Sequence, residues 1–91
     1  MDLQEIRTQL NGIDDEILKL FCRRMALVKD VAAYKMEHHL SVLDSGREQA
    51  IIDRVSQAAG EEMGGYARNL FETLMALSRD YQEKQISGEK P

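Results

Sequence analysis

This sequence has no tryptophan, one cysteine and one proline, and each of these scarcities excludes a structural feature or a class of protein. Cys22 is the only cysteine, so no internal disulfide can form, and we expect a reducing, cytoplasmic location. Pro91 is the only proline, so no proline interrupts a helix. With no tryptophan, two phenylalanines and a net charge of −4, the chain lacks the stacking surface and the basic face of a nucleic-acid-binding protein.

Long apolar runs are also missing, and what the sequence contains instead is helical periodicity along its length. We expect neither a membrane span nor a secretory signal. The periodicity predicts an all-α domain over residues 1–85, followed by a flexible tail or linker over residues 86–91. Three helices are predicted, over residues 3–37, 45–59 and 66–85. The first of them is very long, and a glycine-rich turn at Gly60–Gly65 separates the last two.

The first predicted helix carries an unbroken apolar seam at alternating steps of three and four residues. The seam consists of Leu3, Ile6, Leu10, Ile13, Ile17, Leu20, Arg24, Leu27, Val31 and Tyr34. A helix over residues 3–37 is about 52 Å long, which exceeds the diameter of a compact chain of this size. Much of the seam would therefore stay exposed in a monomer. We predict an intertwined homodimer, in which a second copy packs antiparallel along this helix.

Polar residues stand at positions where the periodicity calls for apolar ones. They are Arg24, Lys35, Glu48, Ser78 and Gln82. Each has a purely structural interpretation. The long side chains of Arg24 and Lys35 can extend to solvent, and Glu48 can belong to a capping box with Ser45. Ser78 and Gln82 can lie at the solvent-exposed edge of the helix face. Five such residues on three helices, with no acidic residue on the seam near Arg24, favour a site for an anionic ligand.

Local motifs add a resemblance to a known family. Arg7 lies in EIRTQLNGIDDEIL, and Arg24 and Lys35 lie in FCRRMALVKDVAAYK. Residues 44–48, DSGRE, fit the pattern D-x-x-R-E, and Leu70-Phe71 is followed by Ser78 and Gln82. From Leu3 to Gln85 the sequence resembles the all-helical, type II chorismate mutases. The resemblance implies rearrangement of chorismate to prephenate in phenylalanine and tyrosine biosynthesis, with no cofactor and no metal.

The resemblance also implies a role for each site residue. Arg7 from a second chain and Arg24 would bind the substrate carboxylates, assisted by Arg47 and Ser78. Asp44 and Glu48 would orient the ring hydroxyl, and Lys35 and Gln82 would donate to the ether oxygen. The spacing agrees with an Arg7 supplied by a second chain. Arg7 and Arg24 of one chain lie about 25 Å apart along the helix, which is too far for a small ligand to contact both. The four cations and two acids leave a surplus of +2, which matches a substrate with two carboxylates.

Two alternatives stay open at this point. An isochorismate-pyruvate lyase of the same fold would use much the same cationic pocket. A non-catalytic dimerisation module would use Arg24 only to set helix register. The sequence also leaves open whether the domain stands alone or is fused to a prephenate-processing enzyme. We interpret His38 and His39 as loop residues and Cys22 as core filler rather than a nucleophile.

Overall fold

The computed structural model describes residues 1–88, which form two α-helices, α1 (Leu3–Glu37) and α2 (Ser45–Ser87). The expected all-α class and the bounds of the first helix are confirmed. The expectation of three separate helices is wrong, because the chain stays helical from residue 45 to residue 87 except at one residue. Of the predicted tail, residues 86 and 87 belong to α2, whereas residues 89–91 lie outside the described part of the chain.

The N-terminal end of each helix is capped by an aspartate. Asp2 accepts a hydrogen bond from the Glu5 backbone N–H at 2.8 Å, and Asp44 accepts one from the Arg47 backbone N–H at 3.0 Å. Such caps satisfy amide groups that have no partner in the first turn. Asp44 is therefore the N-cap of α2, and Glu48 does not serve as the partner of a capping box around Ser45.

A single glycine breaks α2 where the sequence indicated a turn of several residues. Gly60 has φ 86° and ψ 174°, a conformation that is open almost only to glycine. This one residue divides α2 into a first limb, residues 45–59, and a second limb, residues 61–87. No loop is needed, because the positive φ alone redirects the chain. That is why the predicted turn at Gly60–Gly65 is replaced by helix on both sides of one residue.

The two limbs of α2 fold back against each other. Ile51 and Ile52 of the first limb form a buried cluster with Met75 of the second. Near the break the limbs approach so closely that a β-carbon on Gly64 would stand 2.9 Å from the Ser56 carbonyl oxygen. This antiparallel hairpin then packs against the C-terminal half of α1, where Val28 and Ala32 are buried.

The chain is extended and flat, and it leaves the seam of α1 uncovered. It measures 53 × 29 × 14 Å, with a radius of gyration of 16.1 Å, against about 12 Å for a compact chain of this length. Every apolar member of the seam is exposed, by between 41% and 62% of its surface. The accessible surface is 7233 Å², whereas a compact monomer of this mass exposes about 5,400 Å². Within the described residues, neither helix has the apolar stretch needed to cross a membrane.

Candidate active site

An open cleft of about 280 Å³ lies between the C-terminal half of α1, the connecting loop and both limbs of α2. Its apolar wall consists of Leu27, Val28, Val31, Val42, Ile51 and Met75. Its polar wall consists of Arg24, Lys35, Asp44, Arg47, Glu48, Ser78, Arg79 and Gln82. Apolar walls with a few convergent polar groups are typical of small-molecule sites. The structure thus brings together seven of the eight residues predicted for the site, and the eighth, Arg7, is elsewhere.

Arg24 enters the cleft from α1 and is held by a neutral partner. Its Nη1 donates a hydrogen bond to the Ser78 hydroxyl at 2.5 Å. Ser78 is only 6% exposed and donates in turn to the Leu74 carbonyl at 2.7 Å. Throughout residues 1–88, no carboxylate pairs with Arg24, so its positive charge is oriented but not neutralised. An oriented, uncompensated guanidinium is suited to a bidentate contact with a ligand carboxylate.

The pKa of Arg24 shows that this arrangement is electrostatically unfavourable. Burial lowers the pKa of the Arg24 guanidinium below its usual value, and the nearby positive charge of Arg47 lowers it further. Both effects act against the charged form. An anion bound in the cleft would reverse the second effect, because it would place a negative charge beside both guanidinium groups.

Lys35 is fixed by the loop that closes one end of the cleft. Its Nζ donates a hydrogen bond to the Val42 carbonyl at 2.6 Å. An ammonium group has three N–H donors, so two remain for other partners. Among the residues described, Lys35 makes no ion pair. The loop therefore positions this cation without neutralising it.

Gln82 lies on the second limb of α2 and is almost fully buried, with 6% of its surface exposed. Its Oε1 receives no hydrogen bond from any described residue. A buried, unpaired amide oxygen costs about 1–3 kcal/mol, so such groups are rare unless a ligand or partner satisfies them. Because Gln82 also lines the cleft, it is a polar group in a place that a bound molecule can complete.

The acidic side of the cleft holds a residue that the sequence analysis missed. Asp44 and Glu48 both line the cleft, and Glu48 forms an ion pair through its Oε1 with Nη1 of Arg79. Arg79 could have been found from its spacing, because it follows Met75 by four residues and so continues the buried face of the second limb. Its proximity to Ser78 hid it, since neighbouring residues on a helix usually face different ways.

Arg7 stays outside the cleft of its own chain. It is exposed on α1, seventeen residues before Arg24, which corresponds to about 25 Å along the helix axis. All of residues 1–20 are exposed, so the N-terminal half of α1 packs against nothing in the described structure. No residue from the N-terminal half of α1 lines the cleft of its own chain.

The fold and the cleft together indicate an all-α protein with a cation-rich cleft of a kind that suits a small anionic ligand. Comparison with known families identifies the family of this protein. Residues 6–83 match the type II chorismate mutases, and the chain belongs to that family. The match includes every cleft residue from Arg24 to Gln82. No solved structure matches the chain significantly.

Individual relatives differ in what they are named for. A chorismate mutase from Methanocaldococcus jannaschii is 41% identical over 59 residues, which is 65% of this chain and 60% of that protein. A bifunctional chorismate mutase/prephenate dehydratase from Aquifex aeolicus is 29% identical over 89 residues, 98% of this chain and 24% of that protein. A 4-amino-4-deoxychorismate mutase from Streptomyces venezuelae is 30% identical over 60 residues, 66% of this chain and 58% of that protein. The chain thus spans less than two thirds of each of these relatives.

Proposed function

We propose that this chain is a chorismate mutase, an isomerase that rearranges chorismate to prephenate on the shikimate route to phenylalanine and tyrosine. The observation that carries the proposal is the convergence of residues from position 24 to position 82 on one cation-rich cleft. Family membership supports the same reaction. Cys22 is exposed in the structure, so the interpretation of this residue as core filler is wrong. A single free thiol is compatible with a reducing, cytoplasmic location, which is part of the proposal.

The charges of the cleft fit a substrate with two carboxylates. Arg79 and Glu48 neutralise each other, which leaves Arg24, Lys35 and Arg47 against Asp44, a surplus of +2 from one chain. The count made from the sequence reached +2 only with Arg7, because it left out Arg79. An Arg7 from a second copy raises the surplus to +3, one positive charge more than the two carboxylates of the substrate balance. We infer that Arg24 and this second Arg7 bind the two carboxylates, with Arg47 and Ser78 assisting.

Catalysis would come from shape and from electrostatics. In the rearrangement one C–O bond breaks while one C–C bond forms, so no nucleophile and no general base are required. The apolar wall would hold the flexible substrate in its compact, reactive conformation. Lys35 and Gln82 would donate hydrogen bonds to the ether oxygen, which gains negative charge as its bond to carbon breaks. Asp44 and Glu48 would accept from the ring hydroxyl.

The proposed enzyme is a homodimer with two equivalent sites. The surplus surface of about 1,800 Å² per chain is in the range that obligate dimers bury. A second copy packed antiparallel along α1 would cover the exposed seam. It would also bring its Arg7 to the open side of the first cleft, since antiparallel helices place the N-terminal half of one beside the C-terminal half of the other.

The reaction can be tested with purified protein. We expect chorismate to be consumed and prephenate to accumulate without added metal or cofactor, and we expect Lys35→Ala to lose most of this turnover while its unfolding temperature changes little. Isochorismate should be offered in parallel, because formation of salicylate and pyruvate would establish the lyase instead. If neither substrate binds or reacts, the chain is a helical interaction module and the proposal fails.

Oligomeric state needs a separate measurement. One chain has a mass of 10.4 kDa. Sedimentation at micromolar concentration should give a particle of twice that mass. A charged substitution on the seam where no catalytic residue lies, Ile17→Glu, should shift the equilibrium toward monomer and lower activity with it. A stable monomer with full activity would exclude both the dimer and the contribution of Arg7 from a second copy.

A further inference from the structure

Arg79 is the one charged residue of the cleft to which the proposed reaction assigns no task. Its guanidinium pairs with Oε1 of Glu48, and the two residues lie on opposite limbs of α2, thirty-one positions apart. The pair is only partly accessible, with 33% of the Arg79 side chain and 23% of the Glu48 side chain exposed. Reduced access to solvent makes such a pair stronger than an exposed one.

A second arginine on the same limb shows what an ordinary surface pair looks like here. Arg68 and Glu72 are joined at 2.8 Å, one helical turn apart, with 57% and 50% of their side chains exposed. That pair lies outside the cleft and joins residues of a single limb. The Arg79–Glu48 pair instead fixes a cleft carboxylate from across the hairpin, so it determines where the acidic wall of the cleft stands.

The pairing changes what Glu48 can offer to a ligand. Its Oε1 is occupied by a cation, and no described side chain donates to its Oε2. A carboxylate already neutralised in this way still accepts a hydrogen bond from a neutral hydroxyl. It is a poor partner for an ammonium group, because the positive charge of Arg79 repels a second cation brought to the same carboxylate.

We propose that Arg79 is a positioning residue that makes the cleft select a ring hydroxyl over a ring amino group, acting through Glu48. The inference rests on the proposed function, in which Glu48 accepts from the ring substituent. A relative of this chain is named for 4-amino-4-deoxychorismate, which carries a ring amino group in place of the hydroxyl. An aliphatic amine is protonated near neutral pH, so this substrate brings a positive charge to Glu48. In this chain, the Arg79–Glu48 pair disfavours that substrate.

The test compares kcat/KM for chorismate with kcat/KM for 4-amino-4-deoxychorismate in the full chain. Arg79→Ala should raise the ratio of amino to hydroxyl substrate by about tenfold or more, the effect of removing a like charge about 6 Å away in a partly buried site. Arg79→Lys retains the charge and should keep the ratio within about threefold of the original. Arg54→Ala removes an exposed arginine of the first limb that is not among the cleft residues, so as the control it should leave the ratio unchanged. Circular dichroism and thermal unfolding establish that each variant is folded, and Arg79→Gln replaces the alanine variant if that one is not.

The outcomes distinguish a failure of the Arg79 inference from a failure of the proposed function. If the unmodified protein consumes chorismate and the ratio does not change in Arg79→Ala or Arg79→Gln, Arg79 has only a structural role and the inference is overturned by itself. Equal loss of both activities leads to the same conclusion. If the unmodified protein consumes neither substrate, the proposed function and the inference fail together.

Discussion

The Arg24 guanidinium donates its hydrogen bond to the Ser78 hydroxyl, fifty-four residues away in sequence, and this contact joins α1 to the second limb of α2. Ser78 has a single hydroxyl hydrogen, which it gives to the Leu74 carbonyl, so toward Arg24 it can only accept. The contact therefore orients the guanidinium without supplying a negative charge. A cation in this state stabilises a ligand better than it stabilises the fold.

Replacing Arg24 should separate stability from binding. Because burial and Arg47 lower the pKa of Arg24, folding disfavours its protonated form, the form present at neutral pH. The cost would begin to fall only in strongly alkaline solution, as the pH rises above the folded-state pKa, and would vanish only above the ordinary pKa of arginine. Arg24→Met should thus raise the unfolding temperature by a few degrees at pH 7, yet abolish the further rise that prephenate causes in the unmodified protein.

Arg23→Met is the matched control for that experiment. Arg23 is the preceding residue of α1 and is exposed, so its replacement should change neither the unfolding temperature nor the response to prephenate by much. Thermal unfolding with and without prephenate measures both quantities. An Arg24→Met protein that is less stable than the original and still responds to prephenate would contradict the interpretation of Arg24.

The break in α2 leads to a prediction about glycines. Alanine at Gly60 would have to adopt φ 86° and ψ 174°, so Gly60→Ala should destabilise the chain by about 1–3 kcal/mol. Gly12 is the control, because it lies inside α1 with no atom within 4 Å of an added β-carbon. Gly12→Ala should instead stabilise the chain by up to about 1 kcal/mol. Urea unfolding measures both, and equal effects of the two substitutions would show that the break at Gly60 does not constrain the fold.

The sequence predicted α1 well because its heptad seam is long and uninterrupted. It misjudged the region after Ala59 because three glycines close together usually indicate a loop, whereas here they have different tasks. Gly60 supplies the positive φ, and Gly64 allows the backbone to approach Ser56. Periodicity cannot distinguish a glycine needed for its backbone angles from one needed for its lack of a side chain.

The sequence also predicted only part of the site. Residues such as Arg24, Ser78 and Gln82 stand out because they are polar on apolar faces, and the family resemblance gave the rest. Arg79 did not stand out, since its partner Glu48 lies on the other limb and only the folded hairpin brings the two together. Arg7 poses the opposite problem, because its proposed role exists only between two chains.

Mixing two inactive variants tests that role. In an Arg7→Ala/Lys35→Ala heterodimer, one site combines the intact Lys35 of the first chain with the intact Arg7 of the second. Half of the dimers formed by refolding an equal mixture should be heterodimers, so activity should return to about one quarter of the original value. If Arg7 acted within its own chain, every site would lack one residue and no activity would return. Each variant refolded alone is the control and should stay inactive.

Gln82 offers a test in which the sign of a pH effect identifies the donor. Its amide can donate a hydrogen bond at any ordinary pH, whereas a carboxylate donates only when protonated. In Gln82→Glu the new side chain would be buried, which raises its pKa above the usual value of about 4.3, while Lys35 and the cleft arginines favour ionisation. At neutral pH the variant should therefore be ionised and nearly inactive. Its kcat/KM should rise as the pH falls from about 8 to about 5, whereas kcat/KM of the unmodified protein, whose amide does not titrate, should change little over this range. Gln85→Glu places the same substitution one turn further along α2, outside the cleft, and should show the original, flat profile. Were Gln82→Glu equally flat, the amide would not be donating to the reacting oxygen, and Lys35 would have to stabilise the developing charge without it.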